Sequence, residues 1–232
     1  MSSNWSKGYT KETHPSVQKI SQTMRRKSID NFRAWREEMK IIGVLKSVYP
    51  PLVKNGDLAE LIGVTLGDGH ICKYPRTEEL RIISNANNPG FIKRYANLIE
   101  KVFGKKPTVR ASNQQNSVSI GFYEKQISRR IGIPTGARLS LDIPIPAWIS
   151  KKDEFVVRYL RGLYEAEGSF CVHKPTSTYK LFFSNRNASL LDNVYYSMQS
   201  LGFHPHRSKY AIQLSRKAEV YRAIEVLGFR KY

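Results

Sequence analysis

The sequence is poor in three things, and each shortage excludes something. Cysteine occurs only at Cys72 and Cys171, with no CxxC or Cys/His spacing. Neither a disulfide framework nor a zinc site is expected, and both thiols read as small, half-buried side chains. No apolar run approaches the ~20 residues a membrane-spanning helix needs, and Met1-Ser2-Ser3-Asn4-Trp5 lacks the apolar stretch of a signal peptide. A soluble chain is expected, in the cytoplasm (nucleoid-associated in a prokaryote) or in an organelle. Acidic residues are the third shortage: 19 Asp plus Glu face 38 Lys plus Arg, a formal net charge of +19. An imbalance of this size concerns partners rather than fold, and it points to nucleic acid or an anionic membrane surface. No long basic amphipathic helix is evident, which disfavours the membrane.

What is present is organised. At 232 residues the chain can bury a core without covalent staples, as one large domain or two small ones. Residues 1–50 form a basic extension, in which Lys7, Lys11, Lys19, Arg25, Arg26, Lys27, Arg33, Arg36, Lys40 and Lys46 face only Glu12, Asp30, Glu37 and Glu38. Val17, Ile20 and Met24, then Phe32, Trp35 and Met39, recur at helical spacing, so two short helices are expected with a break near Lys27 to Asp30. Pro50-Pro51 ends the segment.

Beyond the prolines the chain repeats itself. Leu61-Ile-Gly-Val-Thr-Leu-Gly-Asp-Gly69 matches Leu160-Arg-Gly-Leu-Tyr-Glu-Ala-Glu-Gly168, and at a nearly constant offset Cys72 matches Cys171 and Ser84-Asn-Ala-Asn87 matches Ser184-Asn-Arg-Asn187. Phe103-Gly104 likewise finds Leu201-Gly202, and Ile131-Gly-Ile133 finds Leu227-Gly-Phe229. The period is too long for a solenoid unit, so two pseudo-equivalent domains are expected: 51–133 and 151–232, joined by a connector over 134–150. In the first, strands are read at 70–74, 80–85, 108–112 and 117–122, with helices at 90–103 and 123–131. In the second, strands fall at 169–173, 179–185, 206–208 and 210–214, with helices at 190–201 and 217–227. The fold class is α+β, an αββαββα pattern made twice.

The repeated motif carries the chemistry. On a helical wheel Leu58, Leu61, Ile62, Thr65 and Leu66 share one face while Gly63 and Gly67 fall on another. The second helix has Val157, Leu160 and Tyr164 on the core face, with Gly162 and Ala166 in the groove. Small residues four apart on both helices permit close backbone approach, so the repeats are expected to meet there. Asp68 and Glu167 would then arrive side by side at two helix C-termini, where like charge and both macrodipoles oppose ionisation unless cations are bound. Hard oxygen ligands with open positions suit Mg²⁺.

Leu61 to Gly69 and Leu160 to Gly168 resemble the two LAGLIDADG motifs of a single-chain homing endonuclease, and the resemblance covers about residues 55 to 232. Gly132-Ile-Pro-Thr-Gly-Ala-Arg138 followed by Ile143-Pro-Ile-Pro-Ala-Trp148 is similar to the connector that precedes the second motif in that family. The resemblance implies a monomeric enzyme that makes a metal-dependent double-strand DNA break with short 3′ overhangs at a long, asymmetric target. It implies that Asp68 and Glu167 bind two or three divalent ions, with the carbonyls of Gly67 and Ala166 as further ligands. It places Asn85 and Asn185 where metal-bound water is oriented, and Arg138 where a basic residue, commonly Lys, sits near the scissile phosphate. Arg cannot shuttle a proton, so Arg138 is assigned to charge stabilisation or phosphate contact. Lys231 is the matching candidate in the second half, and Glu165 is expected to pair locally.

A β-ribbon fits the DNA major groove, so target recognition is expected from alternating residues on the sheets. The candidates are Lys73, Arg76, Arg81, Arg110, Asn113 and Gln115 on the first, and His173, Lys174, Lys180, Arg207, Lys209 and Gln213 on the second. Arg25, Arg26 and Lys27 in the extension are expected to hold flanking phosphates. Two other readings share the fold: a maturase acting on host intron RNA, and a DNA-binding regulator that does not cleave.

Overall fold

The computed structural model describes residues 7–46 and 48–232, so the reading of Met1 to Trp5 lies outside the described residues. The chain divides into two units, Met1–Tyr49 and Pro50–Tyr232. In the first, α1 spans Pro15–Arg26 and α2 spans Arg33–Ile41. Pro15 suits the opening turn, and the His14 ring nitrogen accepts from the Ser16 amide at 3.2 Å to cap α1. Ser28, at φ +50°, marks the break. Neither helix buries a residue; Phe32 and Trp35 of the apolar stripe are exposed.

The second unit contains the αββαββα pattern twice. Its first half runs α3 (Gly56–Gly67), β1 (Gly69–Lys73), β2 (Glu78–Asn85), α4 (Pro89–Phe103), β3 (Thr108–Ala111), β4 (Ser117–Glu124) and α5 (Ile127–Ile131). After a single 3₁₀ turn at Ile149–Lys151, the second runs α6 (Asp153–Glu167), β5 (Gly168–His173), β6 (Thr178–Ser184), α7 (Ala188–Ser200), β7 (His206–Arg207), β8 (Ala211–Leu214) and α8 (Lys217–Leu227). Each half forms one antiparallel sheet, in the orders β1-β2-β4-β3 and β5-β6-β8-β7. Gly69 pairs with Ile82 and Gly168 with Phe183, so the motif glycines open both sheets in the same register. The repeated apolar-Gly pairs are helix ends: Gly104, Gly202, Gly132 and Gly228 all have positive φ, which a glycine adopts without strain.

Most element boundaries fall within two residues of the expected ones, and one differs by more. Tyr123 and Glu124 belong to β4, paired with Glu79 and Glu78, and α5 begins only at Ile127. Strand pairing along the whole of β2 prevails over the local helical pattern.

The core lies where α3 meets α6 between the two sheets. Every residue of α3 from Leu58 to Leu66 is buried. The helix is covered on one side by its own sheet and on the other by α6, so it is apolar nearly all round rather than amphipathic. Its one internal charge, Glu60, is fully buried and paired with Arg94 of α4 at 2.6 Å and with Arg158 of α6. A buried carboxylate is tolerated only with such partners, so Glu60 ties three helices from both repeats together. Among the described residues no helix is long and apolar enough to cross a membrane.

Candidate active site

Two helix ends define the site. Asn55 caps the start of α3, accepting from the Leu58 amide at 2.9 Å, and sets a helix whose last turn ends at Asp68. The α6 helix ends at Glu167. Gly67 abuts Ala166, and a methyl group on Gly67 would overlap the Ala166 Cβ and lie 3.3 Å from Glu167 Cγ. The small residues thus bring the two acids together, as their spacing predicts. Asp68 keeps open surface, yet desolvation of its carboxyl group, with the neighbouring Glu167 second, pushes its pKa up to about 7. Burial also raises the pKa of Glu167, against the pull of Asn185, whose Nδ2 donates to Glu167 Oε1 at 3.3 Å.

These shifts have a measurable consequence. The native state holds the Asp68 proton up to about pH 7, whereas an unperturbed aspartate titrates at 3.8. The group therefore favours folding at low pH, and that contribution fades as pH rises from about 4 to about 7. In metal-free protein, Asp68→Asn should gain thermal stability over wild type across this window. Parallel melting curves showing one constant difference from acid to neutral pH would contradict it.

No third carboxylate joins the pair: among the described residues no cluster of three or more His, Cys, Asp or Glu side chains could hold a metal ion. That donor set is wrong for a caged Zn²⁺. It fits Mg²⁺, which keeps several waters and takes phosphate oxygens as co-ligands.

The asparagines do two jobs. Asn85 ends β2, and its Oδ1 accepts from the Asn87 amide at 2.8 Å and from Asn116 Nδ2 at 3.3 Å. Asn185 follows β6 and accepts from the Asn187 amide at 2.8 Å, so the repeated Asn-x-Asn is a turn in both halves. Only in the second is a bond to the acid present among the described residues.

Arg138 reaches back from the connector to the end of α3. Its Nη2 donates to the carbonyls of Thr65 at 2.9 Å and Gly69 at 2.6 Å, on either side of Asp68. A cation here offsets the negative end of the helix. Burial lowers its pKa, and Nη1 is buried with no hydrogen-bond partner among the described residues. Asn187, the last residue of the repeated Ser-Asn-x-Asn, holds the connector in place. Its Nδ2 donates to the carbonyls of Arg138 at 2.7 Å and Leu141 at 2.9 Å, while its Oδ1 caps α7. Glu167, Asn185, Asn187 and Arg138 form one hydrogen-bonded path from the second acid to the backbone around the first.

Several expectations need correction. Lys231 is ion-paired with Glu225; it is Arg230 that mirrors Arg138, with Nη2 3.4 Å from the Gly168 carbonyl. Glu165 does not pair locally. It accepts from the Arg230 amide at 2.6 Å and from the Tyr232 hydroxyl, and the Tyr232 ring lies against Gly90 of α4 in the other repeat. Cys72 is half-buried as expected, but Cys171 is exposed.

The sheet candidates divide by register, because paired residues project to the same side. Arg207 pairs with core-facing Ile212 and binds Asp192 at 2.7 Å, so it serves the helix side; His206, paired with Gln213, takes its place on the open face. Lys73 pairs with Glu78, whose carboxylate accepts from Ser128 of α5, so it too lies on the helix side. Arg76, Asn113, Gln115 and Lys209 stand in turns, and Lys174 in a single 3₁₀ turn, where hairpin closure takes them off the strands. Arg81, Arg110, His173, Lys180 and Gln213 share the open faces. Arg25, Arg26 and Lys27 are exposed at the end of α1. Arg186, not among the residues expected at the site, lines an open depression with Glu167, Asn185 and Tyr210. The signal was present: the first repeat has Ala86 at that place in the motif.

Comparisons with known proteins agree with this geometry. Residues 154–226 match the model of the LAGLIDADG-like domain. No curated protein matches the sequence. Among solved structures, a variant of I-DmoI in complex with its target DNA, nicked in the coding strand and in the presence of Mn, is similar at 16% identity and a TM-score of 0.52, covering 75% of this chain and 97% of that one. A second I-DmoI variant, in complex with its target DNA in the presence of Mg, gives 16% identity, a TM-score of 0.50 and coverage of 74% and 95%. Full-length DUF199/WhiA from Thermatoga maritima gives 14% identity, a TM-score of 0.54 and coverage of 79% of this chain and 58% of that one. At these identities the likeness is one of fold, and it spans both repeats. With two motif helices packed against each other and a sheet on each, the chain has the two-repeat LAGLIDADG fold, and its second repeat matches the LAGLIDADG-like domain over residues 154–226.

Proposed function

We propose that the protein is a site-specific homing endonuclease that cuts both strands of a long, asymmetric DNA target and leaves short 3′ overhangs. The observation that carries this reading is the pairing of Asp68 with Glu167 at two abutting helix ends, where burial opposes both charges and Glu167 further opposes that of Asp68. A fold gains no stability from that arrangement, and such strain is characteristic of functional sites.

Asp68 and Glu167 would hold the divalent ions, two or three in number, with Gly67 and Ala166 offering backbone oxygens. Bound there, Mg²⁺ would supply charge stabilisation at the scissile phosphates and a more acidic water. The chain's own residues do the rest. Asn185 orients Glu167, Arg138 and Arg230 steady the two helix ends, and the Arg138 guanidinium adds positive charge beside the first acid. The two sheet faces carry different side chains, so the two half-sites differ in sequence. The fold relatives cited in nucleic-acid complexes are bound to DNA, and no observation favours intron RNA as partner. The rival, a DNA-binding regulator that does not cleave, is separated by one experiment: cleavage of a randomised duplex library with Mg²⁺, followed by sequencing of the cut ends. Cutting at one defined site supports the endonuclease; defined binding without cutting supports the regulator.

The basic extension is proposed to lie along flanking phosphates. Each phosphate contact removed lowers the slope of log affinity against log salt by about 0.9. Deleting residues 2–45 should weaken binding and flatten its salt dependence; unchanged affinity across salt would sink this assignment.

A further inference from the structure

Strand β2 carries opposite charges two residues apart, Glu79 and Arg81, and both project to the open face of the first sheet. Glu79 is nonetheless only 3% exposed. Arg81 donates to its two oxygens from Nε at 3.0 Å and Nη2 at 2.6 Å, and the Tyr74 hydroxyl adds a third bond at 3.0 Å. A carboxylate so occupied has little acceptor capacity left for a base. Its effect falls on Arg81.

A guanidinium is planar, with five donors in a fixed fork. Glu79 takes the Nε/Nη2 edge, and Tyr123, opposite Glu79 on β4, also interacts with the guanidinium, so the remaining Nη donors sit on a rigidly held side chain that is still 38% exposed. Across the ladder Arg81 is flanked by His70 on β1 and by Gly121 on β4. Gly121 places no side chain beside Arg81 on the open face. In the major groove guanine alone presents two acceptors side by side, O6 and N7, whereas adenine sets a donor beside its N7.

We propose that Arg81, held by Glu79, is a specificity-determining residue that selects a guanine in the half-site served by the first repeat. This rests on the endonuclease reading above. Arg81 pairs with His70, two residues beyond Asp68, or about 7 Å along the strand at ~3.3 Å per residue. The guanine therefore falls about two to four base pairs from the scissile bond, at 3.4 Å per base. The second repeat lacks the device. Its register sets Lys180 and Phe182 at the corresponding places, with the ammonium 5.5 Å from the ring centre, so the requirement belongs to one half-site only.

The test is selection of bound duplexes from a randomised library with wild type, Arg81→Ala, Arg81→Lys and Glu79→Gln. Wild type should enrich guanine at one inner position by on the order of tenfold to a hundredfold over the other bases. Arg81→Ala should abolish that preference and leave the other positions intact. Arg81→Lys, which keeps the charge without the fork, should lose most of it, and Glu79→Gln should lower it several-fold with the salt dependence unchanged. If Arg81→Ala enriches the same base as wild type at every position, or if the preference it loses is for a base other than guanine, the inference is overturned while the endonuclease reading stands. If wild type enriches no sequence at all, it is the parent reading that fails.

Discussion

Asp68→Asn and Glu167→Gln should each abolish double-strand cleavage while leaving target binding within about tenfold of wild type. Both substitutions preserve shape and remove one carboxylate from a site that, among the described residues, holds two. If the pair holds the divalent ions, losing either acid forfeits several kcal/mol of transition-state stabilisation, a fall in rate of at least about a thousandfold. Binding draws on other residues, the open faces of the two sheets and the basic extension, and loses none of them. It should tighten slightly without metal, because each variant removes a charge that repels phosphate. Quantitative cleavage with Mg²⁺, set beside a gel-shift titration of the same duplex in its absence, separates the two effects. Persistent cleavage by both variants would falsify the site assignment. Loss of binding together with cutting would instead show that the acids act by holding the helix junction together.

The second large effect is on the fold. Gly162→Ala should destabilise the protein by about 3 kcal/mol or more, at or beyond the upper end for adding a methyl group to a packed interior. A Cβ at Gly162 would overlap the Glu60 carbonyl oxygen and lie 2.6 Å from the Val64 nitrogen, both of them backbone atoms of α3. Backbone cannot swing aside as a flexible side chain would, so the helices must separate. Gly63→Ala meets the Tyr159 carbonyl in the same way from the other side. Separation would also stretch the ion pairs of buried Glu60 with Arg94 and Arg158, adding a penalty that alanine's better helix propensity does not offset. Urea denaturation reads the change directly, and a midpoint within error of wild type would show that the helices are less tightly apposed than described. Gly136→Ala would be a poor control, since its φ of +80° strains any replacement by itself.

Much of this was legible in the chain because it is periodic. The two motifs, the apolar-Gly helix ends and the strand patterns are local signals, and their repetition with a nearly constant offset made each half a check on the other. Small residues at Gly63, Gly67, Gly162 and Ala166 even announced which helices would touch, and so which acids would meet.

What failed depended on strand register, which no local pattern reveals, or on partners distant in sequence. Arg207 and Lys73 look like any basic residue on a strand, and only pairing with Ile212 and Glu78 shows that they turn to the helix side. Glu165 finds its partners 65 and 67 residues away, and Arg230 replaces Lys231 beside Gly168 because the chain doubles back there. Glu79 reads as an ordinary strand residue until its register reveals it as the support of Arg81.

The sequence by itself determined the architecture, the polyanion preference and the pair of acids, since these follow from composition, period and spacing along one chain. Only the tertiary structure decided which bases stay free for a ligand and which are committed to carboxylates or carbonyls. A side chain's charge is local, but its availability depends on what strand register and helix packing set within hydrogen-bonding reach.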